Sequence, residues 1–160
     1  MHIKIDVYFY IQNNKKNHFF NEVIMYRNIF AVIIGLSVSL SEIFYAIKWI
    51  KKWFSKIQFI PLKQLQYVFI YAPTEFFITL FFFYIFSALI GGLTTAFFVQ
   101  NAKKAYALLT GFILFIIAFI HILLYTLPLW FEIIILPIFF PFSYLGGEFI
   151  EFLQKKKRIN

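Results

Sequence analysis

The sequence predicts an all-α, polytopic membrane protein in which four transmembrane helices form a bundle. Three observations support this fold class: four long apolar stretches, 62% hydrophobic residues and only 14% charged residues in a chain of 160 residues. Soluble domains are usually about one quarter charged, and so short a soluble chain would leave many of its 25 Phe side chains exposed to water. A bilayer solvates such side chains, and roughly 20 apolar residues of helix cross its hydrocarbon core of about 30 Å.

The chain divides into three predicted parts. Residues 1–24 are mixed and polar, and we interpret them as a soluble or interfacial N-terminal extension. Residues 25–154 form the transmembrane domain, and residues 155–160 form a basic cytoplasmic tail. The expected spans are 29–47, 74–99, 105–126 and 129–152. Pro73 and Thr74 favour a helix start there, because proline fits the first turn of a helix and Thr can cap it.

A basic amphipathic helix is predicted directly after the first span, at the membrane interface. Its lysines recur every four residues and its two Trp side chains form the adjacent stripe: Lys48, Lys52, Lys56, Trp49 and Trp53. Basic faces with Trp are typical of helices that lie along a headgroup layer. We therefore expect this segment to bind membrane lipid, and its charge favours anionic lipid.

The distribution of Lys and Arg predicts that both termini face the cytoplasm. Cytoplasmic flanks of membrane proteins carry the excess of basic residues. Nine lie on the side of the termini and five on the opposite side: Lys15, Lys16, Arg27, Lys103, Lys104, Lys155, Lys156, Lys157 and Arg158, against Lys48, Lys51, Lys52, Lys56 and Lys63. Glu148 and Glu151 are expected to pair with Lys155 and its neighbours at this surface.

Small residues at four-residue spacing predict where the helices contact one another. Lipid tails are as apolar as Leu, so helices in a bilayer associate through close packing and hydrogen bonds. The candidate packing residues are Gly35, Ser87, Gly91, Gly92 and Gly111. Because the second span carries two neighbouring ridges of small residues, we expect its helix to lie at the centre of the bundle.

Two prolines predict an irregular fourth span. Pro137 and Pro141 cannot donate a hydrogen bond to the carbonyl groups of Ile133 and Pro137, so we expect a kink or a break. Ser143 and Thr79 are candidates to satisfy the freed carbonyls, as a bilayer requires. Two interpretations stay open: a kink that serves packing, or a discontinuous helix that lines a substrate or ion cavity.

Several short motifs occur together within residues 28–152. They are Ala31-Val32-Ile33-Ile34-Gly35, Ala88-Leu89-Ile90-Gly91-Gly92 and Leu127-Pro128-Leu129-Trp130-Phe131, with Pro73, Gly111, Pro141 and Gly146. In these motifs the chain resembles an uncharacterised family of small bacterial four-helix inner-membrane proteins. It departs from the family pattern at His121, where an Asn is usual, and in a Lys-rich loop where the family has a Pro-rich one. The resemblance implies the fold and a bacterial inner (plasma) membrane, and it implies no particular activity.

Four ionisable side chains are expected in the outer third of the membrane: Glu42, Glu75, His121 and Glu132. Glu75 and Glu132 fall in the first turns of their helices, where a carboxylate meets the positive end of the helix dipole. Glu42 and His121 fall deeper, where a charged group costs about 2.5–3.5 kcal/mol and usually has a partner. For Glu42 the alternatives are snorkelling or pairing with a Lys of the basic segment; for His121, a neutral ring hydrogen-bonded to a helix.

Two functions remain compatible with these residues. In a structural or accessory membrane protein that binds lipid, a membrane partner or a second copy, the outer polar residues would clamp the helices together. In a small proton- or ion-linked carrier, Glu42 and His121 would act as a pair beside the kinked fourth helix, since His changes charge near neutral pH. The inner half of the spans offers only Ser and Thr hydroxyls as a path, so we favour the first function.

Other functional classes are not expected from this sequence. It contains no H-E-x-x-H, no G-x-S-x-G, no phosphate loop and no cluster of metal ligands, so we expect neither an enzyme nor a cofactor. The absence of Cys excludes thiolate chemistry. Nucleic-acid binding is not expected either, because no soluble element is available to carry a basic face.

Overall fold

The chain is helical almost throughout. The computed structural model describes the backbone of residues 2–159 and the side chains of residues 22–157. Its α-helices are α1 (His2–Ile50), α2 (Leu65–Tyr71), α3 (Thr74–Phe98), α4 (Lys103–Leu124) and α5 (Leu129–Ile159), and the described residues contain no strand. Within those residues, α1, α3, α4 and α5 are long and apolar enough to cross a membrane. The predicted all-α fold with four candidate transmembrane helices is therefore confirmed.

Prolines mark the starts of two long helices. α3 begins directly after Pro73, whose extended backbone (φ −72°, ψ 163°) ends the preceding segment. α5 begins directly after Pro128, whose carbonyl accepts hydrogen bonds from the backbone N–H groups of Phe131 and Glu132. In both cases the missing N–H of proline falls where a helix has no partner for it.

α1 is much longer than the predicted first span. It begins at His2, so one helix runs through most of the segment that we interpreted as an extension. Within the residues whose side chains are described, its candidate membrane-spanning segment lies in Glu22–Trp53. The prediction that residues 1–24 are soluble or interfacial concerns side chains that mostly lie outside the described residues.

The basic segment after α1 differs from the single amphipathic helix that we predicted. A 3₁₀ turn covers Lys51–Trp53, and Phe54 then adopts extended backbone (φ −111°, ψ 108°). The chain folds back over the end of the bundle, where Ile57 is fully buried and the Lys51 ammonium donates a hydrogen bond to the carbonyl of Ile60. Burial of apolar side chains thus determines the backbone conformation of this segment, although its lysines have the spacing of a helix.

The two ends of the bundle differ in how they are covered. At the connection end, which carries residues 51–73 and 125–128, α2 buries Val68 and Phe69 against the helices. The ring of Phe69 contacts those of Phe76 and His121, with centroids 6.4 Å and 5.5 Å away. At the terminal end, α3 ends, α4 begins and α5 carries the basic tail. Because the four long helices alternate in direction, the beginning of α1 and the end of α5 lie on this side of the bundle.

α3 packs against each of the other three long helices and occupies the centre of the bundle. Toward the connection end, the core around it is mainly aromatic, and Phe76, Phe131 and Phe139 are almost completely buried. Toward the terminal end, α3 presents small buried residues instead, including Gly91 and Gly92. The packing around α3 therefore changes from bulky aromatic side chains to small residues along the bundle.

Candidate functional site in the membrane-spanning region

Glu42 lies in a groove on the surface of the bundle, between α1 and α3. The groove has a volume of about 600 Å³ and is lined by Glu42, Tyr45, Ala46, Lys48, Trp49, Lys52 and Phe83. One carboxyl oxygen of Glu42, Oε2, is buried and has no hydrogen-bond partner among the described residues. The groove walls are almost entirely apolar apart from the lysines at its end, so a buried carboxyl oxygen without a partner is unusual beside them.

His121 lies in a separate, smaller cavity inside the connection end. That cavity has a volume of about 90 Å³ and is lined by Leu40, Ile43, Ile47, Tyr84, Leu114, Ile117, Ala118, His121 and Phe139. The imidazole packs against the ring of Tyr125, at 4.5 Å between centroids, and meets the edge of Phe69. Aromatic rings therefore cover His121 toward the connection.

The structure does not bring Glu42 and His121 together. Adjacent residues of a helix project about 100° apart. The α1 residues that face the cavity of His121, Ile43 among them, are therefore on a different face from Glu42. Among the described residues, the two side chains share neither a hydrogen bond nor an ion pair.

The two remaining predicted carboxylates lie at helix starts. Glu75 is the second residue of α3 and is exposed, and Glu132 is the fourth residue of α5 and is half-buried. Neither forms an ion pair within the part of the chain whose side chains are described. The four ionisable residues thus share the connection end of the bundle but form no hydrogen-bonded network there.

Hydroxyl groups, rather than ionisable ones, connect the helices. Ser39 and Ser87 are reciprocal partners: each donates its hydroxyl proton to the backbone carbonyl of the other, at 2.9 Å in both directions. The hydroxyls of Thr95 and Thr110 lie 2.8 Å apart and join α3 to α4. Ser143 of α5 donates to the carbonyl of Ala88 at 3.1 Å. Ser87 was a predicted packing residue; its partner Ser39 belongs to the same pattern of small residues.

Glycines lie where the helix backbones approach most closely. A Cβ built on Gly35 would contact Thr95 and lie 2.8 Å from the carbonyl oxygen of Gly91, so these two glycines face each other across α1 and α3. A Cβ on Gly92 would meet the backbone of Ser143, and one on Gly111 would lie 2.6 Å from the carbonyl oxygen of Phe139. The predicted glycines therefore occupy helix crossings in which a side chain has no room.

Gly146 lies at the same crossing of α3 and α5 as Gly92. A Cβ there would lie 2.5 Å from the carbonyl oxygen of Leu89 and 2.7 Å from the backbone nitrogen of Leu93. Gly92 and Gly146 consequently form the two sides of one contact between α3 and α5. Ser143 lies one turn from Gly146 on the same face.

α5 continues through both prolines. It is assigned as one helix from Leu129 to Ile159 with Pro137 and Pro141 inside it, so the discontinuous helix is not observed. Both prolines are exposed on the outer surface. The two proposed donors serve other carbonyls, because Thr79 bonds that of Glu75 and Ser143 bonds that of Ala88. The reason is geometric: each hydroxyl already lies next to a backbone oxygen of α3.

Charged groups organise the terminal end. The ammonium of Lys103 donates to the carbonyl of Ala96 at 2.9 Å and to that of Val99, and so satisfies carbonyls at the end of α3. Lys104 forms an ion pair with Glu148, at 2.8 Å between Nζ and Oε1. Glu151 pairs with Lys155 at the same distance. Glu148 therefore pairs across helices with α4 rather than with the tail, which sequence spacing alone does not indicate.

The basic and aromatic residues of the lipid-surface prediction lie on the outside of the connection end. Lys48, Trp49, Lys52, Trp53 and Lys56 are all exposed. The rings of Trp49 and Trp53 pack together, with centroids 4.6 Å apart. Lys51 is the exception in this segment, since it is buried and holds the turn.

Comparison of the chain with protein-family models, curated proteins and solved structures finds no match.

Proposed function

We propose that this protein is a structural or accessory component of a membrane, which binds lipid or a membrane partner and carries out no chemical reaction. The observation that carries the proposal is the closed centre of the bundle. Ser39, Ser87, Thr95, Thr110 and Ser143 are completely buried, and each hydroxyl is bonded within the helix contacts. Carriers typically hold their substrate near the midplane, at unwound helices that line a cavity.

The close backbone contacts support the same conclusion. Gly35 and Gly91 on one side of α3, and Gly92 and Gly146 on the other, leave no space even for a methyl group between α3 and its neighbours. A substrate that crossed between these helices would have to separate them and break the hydroxyl bonds. Rigid association of this kind suits a protein whose outer surface, rather than its interior, makes the functional contacts.

The proposed location is a bacterial inner membrane with both termini in the cytoplasm. Lys103, Lys104 and Lys155 lie at the terminal end of the bundle, and an excess of basic residues is typical of the cytoplasmic side. The connection end then faces outward. Its lysines oppose this orientation, but one of them, Lys51, is used to hold the turn.

A proton-linked carrier is the second candidate, and the unpaired carboxyl oxygen of Glu42 favours it. The test is proton flux into liposomes that contain the purified protein and a pH-sensitive dye. We expect no flux above that of protein-free liposomes at any pH between 5 and 8, the range in which His changes its charge. We also expect Glu42→Gln and His121→Asn to fold with wild-type yield. A pH-dependent flux that disappears in either variant would establish the carrier instead.

A further inference from the structure

We propose that the groove between α1 and α3 binds one anionic phospholipid of the adjacent leaflet. Its phosphate would lie at Lys48 and Lys52, and an acyl chain would run over Trp49 and Phe83 toward Glu42. The inference rests on the proposed function and specifies it, because it assigns a ligand class and a site to an accessory protein that binds lipid.

The charge at the groove entrance selects an anion. Lys48 and Lys52 both line the groove and are both exposed. Within the described residues, neither forms an ion pair with a carboxylate, so both ammonium groups are available to a ligand. Lysines at a membrane surface attract anionic headgroups with about 1 kcal/mol each.

The walls below the lysines suit an acyl chain. Ala46 is small and buried, and it leaves a depression between the larger side chains that surround it. Trp49 and Phe83 meet edge to face across α1 and α3, at 6.4 Å between ring centroids, and both rings line the groove. The volume of about 600 Å³ is within the range of about 300–1,000 Å³ that is common for ligand sites.

Glu42 supplies a polar group that lies deeper in the membrane than Lys48 and Lys52. It lines the groove and precedes Lys48 by six residues, which is about 9 Å along the helix axis. In a phospholipid the ester groups lie below the phosphate, on the side of the acyl chains. A carboxyl group in its protonated form donates a hydrogen bond, and an ester carbonyl at this level would accept it.

The depths of the two lysines and of Glu42 also predict that the groove prefers anionic to zwitterionic lipids. In phosphatidylethanolamine and phosphatidylcholine the cationic group lies farther from the hydrocarbon than the phosphate does. Glu42 lies on the opposite, deeper side of Lys48, so it cannot pair with that cation. Two lysines that form no ion pair with a carboxylate among the described residues therefore favour phosphatidylglycerol.

The test is lipid binding to the full-length protein in detergent, measured by native mass spectrometry. Phosphatidylglycerol, phosphatidylethanolamine and phosphatidylcholine with the same acyl chains are titrated separately. We expect phosphatidylglycerol to bind most tightly, and the double variant Lys48→Gln/Lys52→Gln to weaken it about 30-fold, which corresponds to about 2 kcal/mol at 1.4 kcal/mol per tenfold. The matched control is Lys56→Gln/Lys63→Gln, which removes the same charge from two exposed lysines outside the groove.

A second pair of variants tests the deeper contact. Glu42→Gln keeps a hydrogen-bond donor at this position and is expected to retain binding, whereas Glu42→Leu removes it and is expected to weaken binding several-fold. Equal losses in the two lysine double variants, or equal affinity for the three lipids, would overturn the proposal. Either result would leave the accessory function in place, because the flux measurement tests that function separately.

Discussion

Replacing Gly92 with Ala is the most direct test of the helix packing described above. A Cβ at this position would contact the backbone carbonyl oxygen of Ser143 and lie 2.8 Å from its Cα. Ordinary van der Waals contacts begin at 3.4 Å, so α3 and α5 must separate by at least about 0.6 Å. The obstacle is backbone, and no side-chain rotation can relieve it.

The expected loss of stability has two parts. Overpacking of a close contact typically costs about 1–3 kcal/mol. Separation of α3 and α5 also lengthens the hydrogen bond from Ser143 to Ala88, which is 3.1 Å in the native protein. Bonds between membrane helices contribute about 0.6 kcal/mol on average and about 1.7 kcal/mol at most. Together, Gly92→Ala should lower the free energy of unfolding by about 2–4 kcal/mol, and Gly92→Leu should prevent assembly of the bundle.

Gly91→Ala provides a matched comparison on the opposite side of α3. There the new methyl group would meet the hydroxyl of Ser39, which can rotate, with the carbonyl oxygen of Gly35 at 3.3 Å. We expect Gly91→Ala to cost less than Gly92→Ala. Adding Ser39→Ala should offset part of that cost, because it removes the obstructing hydroxyl.

Reversible unfolding in mixed micelles or bicelles measures these differences. The double variant Gly91→Ala/Ser39→Ala gives a coupling energy when it is compared with the two single variants. If Gly92→Ala unfolds at the same denaturant concentration as the native protein, or if Gly91→Ala is the more damaging of the two, the helix contacts described here are wrong.

Two further predictions concern the hydrogen bonds between Ser39 and Ser87 and the orientation of the protein in the membrane. Ser39→Ala and Ser87→Ala should each destabilise the bundle by about 0.6–1.7 kcal/mol, since each variant removes one hydroxyl donor and leaves a buried backbone carbonyl without it; native stability of both variants in mixed micelles would contradict this. The chain has no native Cys, so Lys63→Cys should react with an impermeant maleimide in intact cells, and Lys156→Cys should react only after lysis. The reverse pattern would invert the proposed topology.

The fold is readable from the sequence because a bilayer imposes simple requirements. Each span needs a long apolar run, and proline marks a helix start. α3 was expected at 74–99 and is Thr74–Phe98, because Pro73 fixes its first turn. The basic segment was less predictable. The lysine spacing persists through Lys56, but burial of Ile57 and the turn at Phe54 determine the backbone.

The partners of the polar residues were harder to predict than their positions. Small-residue spacing identifies Ser87 as a contact residue, but it cannot show that Ser39 lies opposite it, because that depends on the relative register of two helices. The same limit applies to Glu148, whose partner is Lys104 rather than a neighbour in the tail. Pairs within one helix, such as Glu151 and Lys155, are predictable because four-residue spacing places them side by side.

The separation of Glu42 from His121 has a physical cause in this packing. Close approach of α1 to α3 requires small side chains along their shared face, and Gly35 and Ser39 occupy that face of α1. Larger polar side chains are then restricted to the flanks of the contact, on one side or the other. Glu42 is on the flank that opens to the groove between α1 and α3, whereas Ile43 faces His121. A bundle closed by glycine and serine thus leaves its ionisable groups at the flanks of the helix contacts and at the ends of the helices.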